Sequence, residues 1–398
     1  MKEIYLDNNA TTKVDEKVLE AMLPFFKENY GNPSSMYSLA QAPHKAIEDA
    51  RKVIADFVGA KSSKEIYFTS CASESANMAI KGLLEENKNK KHLITTKVEH
   101  PCVLNLHKEL EKKGYKVTYI DVDSNGDLDI NSLKNAIKED TLLVSVMTAN
   151  NETGVIYPVE NIAKMVKEIN PQTKFFTDAV QAAGKIKIDV SKAPIDFLII
   201  SGHKFHAPKG IGALYVKSGT IISPLIIGGH QERGKRAGTE NVPYIVGMAK
   251  AAQIAEENLK LEETKVKYLR DKLEQGILKN VFNAKLNSTS ANRVVNTTNI
   301  GFQYVEGELI LLHLSDLGIF ASSGSACTSG SLDASHVLKA MGVPFTSLHG
   351  SIRFSLSKYN TEEEIDYVIE KMPEVIEKLT RISPFQDEIE KLRASHKA

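Results

Sequence analysis

Residues 196–204 read Asp-Phe-Leu-Ile-Ile-Ser-Gly-His-Lys, and this stretch decides the fold. Residues 197–200 are four apolar side chains in succession, which is typical of a strand buried on both faces. Ser201, His203 and Lys204 follow this strand directly. Most of the 50 basic residues are expected at the surface. A lysine that ends a buried strand is a stronger candidate, because open α/β sheets bind ligands at the carboxyl ends of their strands.

On both sides of this stretch, short apolar runs alternate with helical patterns from about residue 45 to 215. The runs are EIYFT (65–69), HLITT (92–96), KVTYIDV (116–122), TLLVSVM (141–147), KFFTDA (174–179), DFLII (196–200) and GALYV (212–216). Strands that alternate with helices predict crossover units and a mostly parallel sheet. The predicted fold class is therefore α/β.

The second half of the chain has a different pattern. Residues 251–280 have helical periodicity and predict one long amphipathic helix that links a large domain to a smaller one. Beyond it, VVNTTNIGFQ (294–303) and SIRFSLS (351–357) are strand-like, and EGELILLHLSDLG (306–318) is helical. We interpret this part as a smaller α+β domain.

Composition excludes several classes of function. Lys+Arg and Asp+Glu are both 50 among 398 residues, so no net charge attracts nucleic acid or an anionic membrane. The N-terminus has no apolar signal-like region and no run is long enough to span a membrane, which predicts a cytoplasmic protein. Three cysteines (Cys71, Cys102 and Cys327), without a CxxC motif, argue against a disulfide framework or a zinc ribbon.

Other strand ends carry polar groups as well. After 65–69 come Ser70, Cys71, Ala72 and Ser73 at a predicted helix start, where backbone N–H groups favour an anion. The alternative is a plain helix cap by Ser70 or Ser73. His100 follows 92–96 and precedes a proline, which holds it extended, so that it can stack on a flat ring or move protons. A lone histidine is more often structural.

Two further strand ends complete the set. The segment 149–154 contains Asn150 and Asn151, and a side-chain amide here can bind a carboxylate or a phenolic oxygen, unless the segment is only a polar turn. Asp178 ends a buried strand, which is costly unless the acid has a cationic partner such as a protonated pyridine nitrogen. An anion cradle, an imidazole, an amide, a buried acid and a lysine together predict pyridoxal phosphate (PLP), which needs a lysine for its Schiff base and an acid at the ring nitrogen.

A competing motif is Gly229–Lys235, which nearly spells a P-loop. Arg236 stands where a magnesium-binding Ser or Thr is required, which argues against nucleotide hydrolysis. We interpret the segment instead as a mobile basic loop that supplies phosphate contacts.

The Ser/Gly-rich loop 321–331 contains Cys327 and is expected to be mobile or hydrogen-bonded to itself. A thiolate on such an arm could enter a site and leave it carrying a group, or it could be an incidental loop thiol. Cys102, beside Pro101 and an apolar helix, looks structural. Arg353, on a probable strand, could clamp a substrate carboxylate or form a surface ion pair.

Taken together, the motifs resemble those of the cysteine desulfurases of the class V aminotransferase group, most nearly the NifS type. The matching segments are YLDNNATT (5–12), GNPSS (31–35), TSCASES (69–75), VEHP (98–101), ANNETG (149–154), TDAVQ (177–181), SGHKFHAPKGIGALYV (201–216), GGHQERGKRAGTEN (228–241), SSGSACTSGS (322–331) and HGSIRFSLS (349–357). The resemblance implies fold type I of PLP enzymes. It also implies a large PLP-binding domain over 14–258, with 1–13 and 259–398 forming a small domain that carries the cysteine loop.

The resemblance implies roles for matching positions. Lys204 would hold PLP and take the substrate Cα proton, His100 would stack on the ring, and Asp178 would pair with its nitrogen. Asn151 and Gln181 would contact the ring hydroxyl or substrate, and Arg353 would bind the substrate carboxylate. The phosphate would be held by Ala72, Ser73, Ser201 and His203, together with Thr239 from the other subunit of a homodimer with shared sites. Ser73 stands where much of the family has threonine, so the hydroxyl is kept.

The implied reaction removes sulfur from L-cysteine, giving alanine and a Cys327 persulfide that passes to an acceptor such as an iron–sulfur scaffold protein. No resident metal is expected; Cys327 would at most ligate a cluster transiently with such a scaffold. Two rival functions stay open: a PLP aminotransferase or lyase that does not need Cys327, and a non-enzymatic iron–sulfur carrier that does not need Lys204. The identity of the acceptor, a nitrogenase-dedicated or housekeeping role, and selenocysteine as a side substrate also stay open.

Overall fold

The computed structural model describes residues 3–323 and 334–397. The strands are β1 (Ile4–Tyr5), β2 (Ile66–Thr69), β3 (His92–Thr96), β4 (Lys116–Ile120), β5 (Thr141–Ser145), β6 (Lys174–Asp178), β7 (Phe197–Ser201), β8 (Gly212–Val216), β9 (Ala284–Leu286), β10 (Thr297–Phe302), β11 (Ile319–Phe320) and β12 (Ser351–Ser355). The helices are α1 (Glu16–Met22), α2 (Pro24–Lys27), α3 (Gln41–Val58), α4 (Ala72–Glu86), α5 (Pro101–Lys112), α6 (Ile130–Ala136), α7 (Val159–Ile169), α8 (Val242–Glu257), α9 (Leu259–Leu261), α10 (Lys267–Asn280), α11 (Gly307–Asp316), α12 (His336–Ala340), α13 (Phe345–Leu348), α14 (Glu362–Ile382) and α15 (Gln386–Lys397).

The central sheet has seven strands in the order β2-β8-β7-β6-β5-β3-β4. Strands β4, β3, β5, β6 and β7 pair in parallel, and β8 runs antiparallel to both β7 and β2. Strand β2 therefore points in the same direction as β7. The predicted α/β class with a mostly parallel sheet is confirmed.

Both faces of this sheet are covered, as the uninterrupted apolar runs predicted. Successive side chains of a strand point to opposite faces, so Phe175 packs in one apolar cluster and Phe176 in the other. Leu198 and Phe197 divide in the same way. Because both faces are closed, polar ligands can reach this sheet only at its edges and at the strand ends.

A separate apolar core lies around the second half of the chain. It contains the three-stranded antiparallel sheet β12-β10-β9 and the short parallel pair β1-β11. Its buried residues include Ile4 and Leu6 from the start of the chain, together with side chains from α10, α11 and α14. The N-terminal segment thus begins in this core. It then crosses to the central sheet, where the Thr12 N–H donates to the His203 carbonyl at 3.0 Å.

The prediction of one long helix over 251–280 is wrong in detail. Helix α8 ends at Glu257, and Asn258 caps it by donating from its side-chain amide to the Ile254 carbonyl at 2.8 Å. After the short α9, a π-helical turn spans Glu262–Val266 before α10 begins. The extra residue in this turn rotates the buried face, so Glu262 is buried where an unbroken pattern would bury only apolar side chains.

No helix within the described residues is both long and apolar enough to cross a membrane.

Candidate active site

The polar strand ends meet at one edge of the central sheet. Lys204 follows β7, Asp178 ends β6, Asn151 follows β5 and His100 follows β3. A ring nitrogen of His100, the sulfur of Cys102 and a carboxylate oxygen of Asp178 lie within 4.8 Å of one another. The charge of Lys204 acts on the pKa values of both Asp178 and His100. The structure therefore brings together the groups that sequence analysis placed at a common site.

Lys204 lies on a 3₁₀ turn (Gly202–Lys204) directly after β7. Its ammonium group donates to the carbonyl oxygens of Asn9 at 2.6 Å and Ala10 at 2.7 Å. Gly202 permits the tight turn, because a Cβ there would lie 2.9 Å from a methyl carbon of Ile211. The N-terminal segment thus holds the Lys204 amine at the sheet edge, and sequence analysis did not find these partners.

Asp178 is only 3% exposed. One of its carboxylate oxygens accepts from the Val180 N–H at 2.9 Å, and the other lies 4.0 Å from the Cys102 sulfur. Burial raises the pKa of Asp178 to about 6, against the opposing effects of the Val180 hydrogen bond and the Lys204 charge. A cation beside this carboxyl would stabilise its ionised form, which is the property that a pyridinium partner requires.

His100 is neutral at pH 7, since burial, followed by the nearby Lys204 charge, lowers its pKa to about 4. Its Nδ1 atom accepts from the Cys102 N–H at 3.2 Å and so caps α5. Nδ1 therefore carries no proton, and the neutral ring carries its proton on Nε2. A neutral, oriented imidazole is suited to stacking on a flat ring.

The start of α4 provides the anion cradle. Helix α4 begins at Ala72, and its N-cap is Cys71, which makes no side-chain cap hydrogen bond. The alternative of a plain cap by Ser70 or Ser73 is therefore wrong, and the Ser70 hydroxyl donates instead to Glu74 at 2.5 Å. The first N–H groups of the helix are thus not closed by a cap and favour an anion.

Neighbouring residues shape this cradle. Gly212 in β8 allows the strand to approach α4, because a Cβ there would lie 2.9 Å from the Cys71 carbonyl carbon. Ser201 is buried at the end of β7, and His203 Nδ1 lies 3.2 Å from the Thr11 hydroxyl. The acidic Glu74 is neutralised by Arg236 at 2.8 Å, which reduces repulsion of a phosphate.

Arg353 in β12 is 2% exposed and reaches the same region. It forms an ion pair with Asp7 at 2.6 Å and donates to the Asn151 carbonyl at 2.9 Å. An ion pair was one of the two alternatives for Arg353, but the structure buries it rather than leaving it at the surface. Sequence analysis did not find Asp7 as its partner; the only available signal was that YLDNNATT belonged to the quoted motifs.

Two buried oxygens at the site have no hydrogen-bond partner among the described residues: Asn151 Oδ1 and Gln181 Oε1. The amide nitrogen of Gln181 is fixed by donation to the Asn9 carbonyl at 3.0 Å. A buried acceptor without a donor costs free energy, so these oxygens indicate a polar ligand. Together with Lys204 and Asp178, they fit the aldehyde, hydroxyl and ring nitrogen of PLP.

Some predicted residues are not brought into this group. Thr239 is exposed and lines a separate pocket with Ser70 and Arg236. Cys327, with the rest of 324–333, lies outside the described residues. Cys102, expected to be structural, lies at the site beside Asp178.

The near-P-loop segment 229–235 is held by an ion pair and hydrogen bonds to other parts of the chain. Glu232 in this loop is buried and pairs with Arg51 at 2.7 Å, and Arg233 donates to the Ile66 carbonyl at 2.7 Å. Lys235 donates to the Ile222 carbonyl at 2.8 Å. These basic side chains are therefore engaged within the subunit.

The chain matches a family model described as "Aminotransferase class-V" over residues 4–368. A solved structure titled "NIFS-LIKE PROTEIN" superposes with a TM-score of 0.90 at 43% identity, covering 95% of this chain and 100% of that chain. The chain therefore belongs to the class-V aminotransferase family, whose cofactor is PLP.

Curated relatives narrow this assignment. "Cysteine desulfurase 2" of Trichormus variabilis is 55% identical over 388 residues, covering 98% of this chain and 96% of the relative. "Cysteine desulfurase NifS" of Azotobacter vinelandii is 49% identical, covering 97% and 95% respectively. A NifS-like protein from Rickettsia africae has a TM-score of 0.85 at 33% identity, covering 94% of this chain and 100% of that chain. Within the family, this chain is one of the cysteine desulfurases.

Proposed function

We propose that the protein is a PLP-dependent cysteine desulfurase that converts L-cysteine to alanine and leaves the sulfur as a persulfide on Cys327. The observation that carries this proposal is the group of Lys204, Asp178 and the unpartnered oxygens of Asn151 and Gln181 at one sheet edge. The relationship to cysteine desulfurases supplies the substrate class.

Lys204, Asp178, His100 and the α4 N-terminus would hold the cofactor. PLP, when bound, supplies an electron sink that stabilises negative charge at the substrate Cα. Asp178 keeps a negative charge where the ring nitrogen is protonated, and His100 offers a flat neutral face. The Ala72 and Ser73 N–H groups, with Ser201 and His203, would bind the phosphate.

Lys204 has two tasks in this proposal. Its Nζ atom would hold the cofactor, and as a free amine it would take the proton from the substrate Cα. The carbonyl oxygens of Asn9 and Ala10, at 2.6 and 2.7 Å, fix the position of this amine. A base held in place on a short turn avoids the entropy cost of locating a freely rotating lysine.

Arg353 would bind the substrate carboxylate, with the side-chain amide of Asn151 beside it. The guanidinium is already held by Asp7 and by the Asn151 carbonyl, so the substrate would share Arg353 with Asp7. A pre-oriented guanidinium is suited to carboxylate recognition.

Sulfur transfer would then occur at Cys327. The Cys327 thiolate attacks the substrate sulfur, forming an S–S bond while the carbon–sulfur bond breaks. The electron pair of the broken bond stays with Cβ, which takes up a proton, and the proton that Lys204 removed returns to Cα to give alanine. Attack requires a deprotonated, accessible thiol.

Three wider expectations belong to the same proposal. A large domain over 14–258 and a small domain formed by 1–13 and 259–398 agree in part with the two apolar cores: Ile4 and Leu6 pack with α10 and α14, whereas Val337 and Leu338 of α12 pack in the core of the central sheet. A homodimer is supported by strongly exposed apolar side chains: Met36, Tyr30 and Ile227 are 103%, 69% and 86% exposed. We expect a cytoplasmic protein whose acceptor is an iron–sulfur scaffold or another sulfur acceptor.

Light scattering tests the dimer directly. Each chain has a mass of 43.9 kDa, and we expect the purified protein to show twice that mass. Thr239→Ala should then weaken PLP binding if this exposed residue reaches the phosphate of the second subunit. A monomer that retains full PLP affinity would contradict the shared site.

Replacing Cys327 and Lys204 separates the proposed function from its rivals. Cys327→Ser should keep the yellow cofactor and lose sulfide production from cysteine, whereas an aminotransferase or lyase would lose nothing. Lys204→Ala should lose the cofactor spectrum and the activity together. If Lys204→Ala left both intact, the PLP assignment would be wrong and the carrier alternative would gain support.

A further inference from the structure

The described residues before Cys327 and those after it belong to different apolar cores. Before it, Ser322 pairs through its backbone with Arg353, at N–O distances of 2.6 and 3.2 Å. After it, Val337, Leu338 and Met341 are at most 3% exposed and pack into the core of the central sheet. Sequence analysis assigned this whole region to the small domain, yet α12 is embedded in the core of the large sheet.

Where the chain enters that core, Ser335 forms a hydrogen bond with Glu152. The Ser335 hydroxyl donates to Glu152 Oε2 at 2.5 Å and accepts from the Leu338 N–H at 3.1 Å, which caps α12. Next to it, His336 donates from Nε2 to the Glu99 carbonyl at 2.9 Å. Glu99 directly precedes His100, so the start of α12 contacts the backbone of the candidate site.

Hydrogen bonds within its own turn also hold the backbone of Glu152 in place. The side-chain oxygen of Asn150 accepts from the N–H groups of Glu152 at 2.8 Å and Thr153 at 3.0 Å. The Asn150 amide in turn donates to the Val98 carbonyl at 3.0 Å. Between Asn150 and Glu152, the Asn151 carbonyl accepts from Arg353. The turn at residues 150–152 therefore has two contacts: Asn151 accepts from Arg353, and Glu152 accepts from Ser335.

A buried carboxyl at this place is not explained by stability alone. Glu152 is 2% exposed, and burial raises its pKa, although the Ser335 hydroxyl and the charges of His336 and Arg353 oppose this effect. Apolar side chains of similar volume would fill such a position at no desolvation cost. A directional hydrogen bond, by contrast, fixes the position of the helix start that an apolar contact would leave less defined.

We propose that Glu152 and Ser335 are positioning residues for sulfur transfer: their hydrogen bond fixes where the chain after Cys327 joins the large core, and it takes no part in binding cysteine. This inference rests on the proposed desulfurase function. It separates two steps of that function, because Arg353 and Asn151 serve substrate binding while Ser335 serves the thiol.

Ser335→Ala in the full-length holoenzyme tests the inference. The change in cofactor absorbance on adding cysteine reports substrate binding, and mass spectrometry after rapid alkylation reports persulfide on Cys327. We expect the absorbance change and its half-saturating cysteine concentration to stay within twofold of the parent. Persulfide formation should be about 10- to 100-fold slower, as for a misplaced reacting group.

Three further variants control for folding. Ser335→Thr keeps a hydroxyl and should restore most of the rate, and Glu152→Gln should show the same split with a smaller loss. Thr361→Ala removes a comparable N-cap from α14, where the Thr361 hydroxyl accepts from the Glu364 N–H. This variant should lose similar thermal stability while its persulfide rate stays at the parental value.

The inference is overturned if Ser335→Ala forms persulfide within twofold of the parental rate, or if its absorbance response to cysteine is lost as well. A parent protein that forms no persulfide at all would overturn the proposed function itself, and this inference with it. These two failures are distinguishable, because the first is seen only in the variants.

Discussion

Asp178 is the residue at which burial and charge have the most direct chemical consequence. It is held by the Val180 N–H and lies beside Cys102, in a position where its pKa is raised to about 6. Such a carboxyl is about nine-tenths ionised at pH 7 and loses its charge as the pH falls through 6, unless a cation lies against it. We infer that Asp178 depends on the protonated ring nitrogen as much as that nitrogen depends on Asp178.

Asp178→Asn should therefore reduce alanine formation at saturating cysteine by about 100-fold or more, because an amide cannot stabilise a ring cation. The measurement is kcat together with the cofactor absorbance spectrum. Asp196→Asn is the matched control, since Asp196 is buried beside Lys167 and Lys174 just before β7 begins, at the opposite end of that strand from Lys204. A kcat for Asp178→Asn within threefold of the parental value would show that this acid is not the nitrogen partner.

Glu99 is a buried acid next to His100 and predicts a pH dependence of stability. Burial raises the pKa of Glu99 to about 8, although Met147 and Thr96 donate to its carboxyl group. The unfolded chain loses this proton near pH 4.5 and the folded chain only near pH 8. The contribution of Glu99 to stability therefore falls as the pH rises through this window.

Glu99→Gln removes this titration and keeps the shape of the side chain. The melting temperature of the variant relative to the parent should rise between pH 5 and pH 8, by on the order of 2 °C or more. Glu85→Gln, at an exposed position on α4, should show a difference that does not change with pH. A constant difference for Glu99→Gln would mean that this acid is already ionised in the folded protein.

Site residues that follow strands of the central sheet could be predicted from sequence, whereas site residues outside that sheet could not. Lys204, Asp178 and His100 were found because parallel strands bring their carboxyl ends to one edge, so strand ends far apart in sequence become neighbours. Asp7 and Asn9 were not found as partners of Arg353 and Lys204. They follow β1, a two-residue strand of a different sheet, and no periodicity links that strand to the site.

Helices and strands, too, were only partly predictable from the sequence. The strands of the central sheet were predictable from apolar runs, whereas the break at Asn258 and the π-helical turn after it were not, because a helical pattern does not show where one extra residue enters a turn. The packing of α12 against the large sheet also escaped prediction. Val337 and Leu338 pack in the large core, but the apolar pattern of a five-residue helix does not show which of two cores it joins.

The close approach of β8 to the start of α4 gives a prediction for these elements. In Gly212→Ala, a Cβ would lie 2.9 Å from the Cys71 backbone, so the N–H groups at the start of α4 would move. We expect PLP affinity to fall about tenfold or more, measured by titrating apoprotein with PLP.

A comparable substitution elsewhere separates this effect from general destabilisation. Gly276→Ala also lacks space, but its Cβ would meet the flexible end of Ile369 in the other core. This control should lower the melting temperature and leave PLP affinity unchanged. Equal PLP affinities for the two variants would contradict the view that α4 is the phosphate cradle.

For the whole molecule, the candidate site lies where the central sheet meets the second apolar core. The N-terminal segment supplies Asn9 and Ala10 to Lys204 and Asp7 to Arg353, so it joins the proposed cofactor site to the proposed substrate site. Cys327 lies in 324–333, between Ser322 on one core and Ser335 on the other. We therefore propose that these parts act together to move sulfur from free cysteine to the thiol of Cys327.

A single turnover with sulfur-labelled L-cysteine tests that claim most directly. The holoenzyme is mixed with one equivalent of label and alkylated, and its peptides are analysed by mass spectrometry while released alanine is quantified. The account predicts labelled persulfide on the peptide containing Cys327 and one alanine for each persulfide formed. Alanine production with label on Cys71, on Cys102 or only in free sulfide would contradict it.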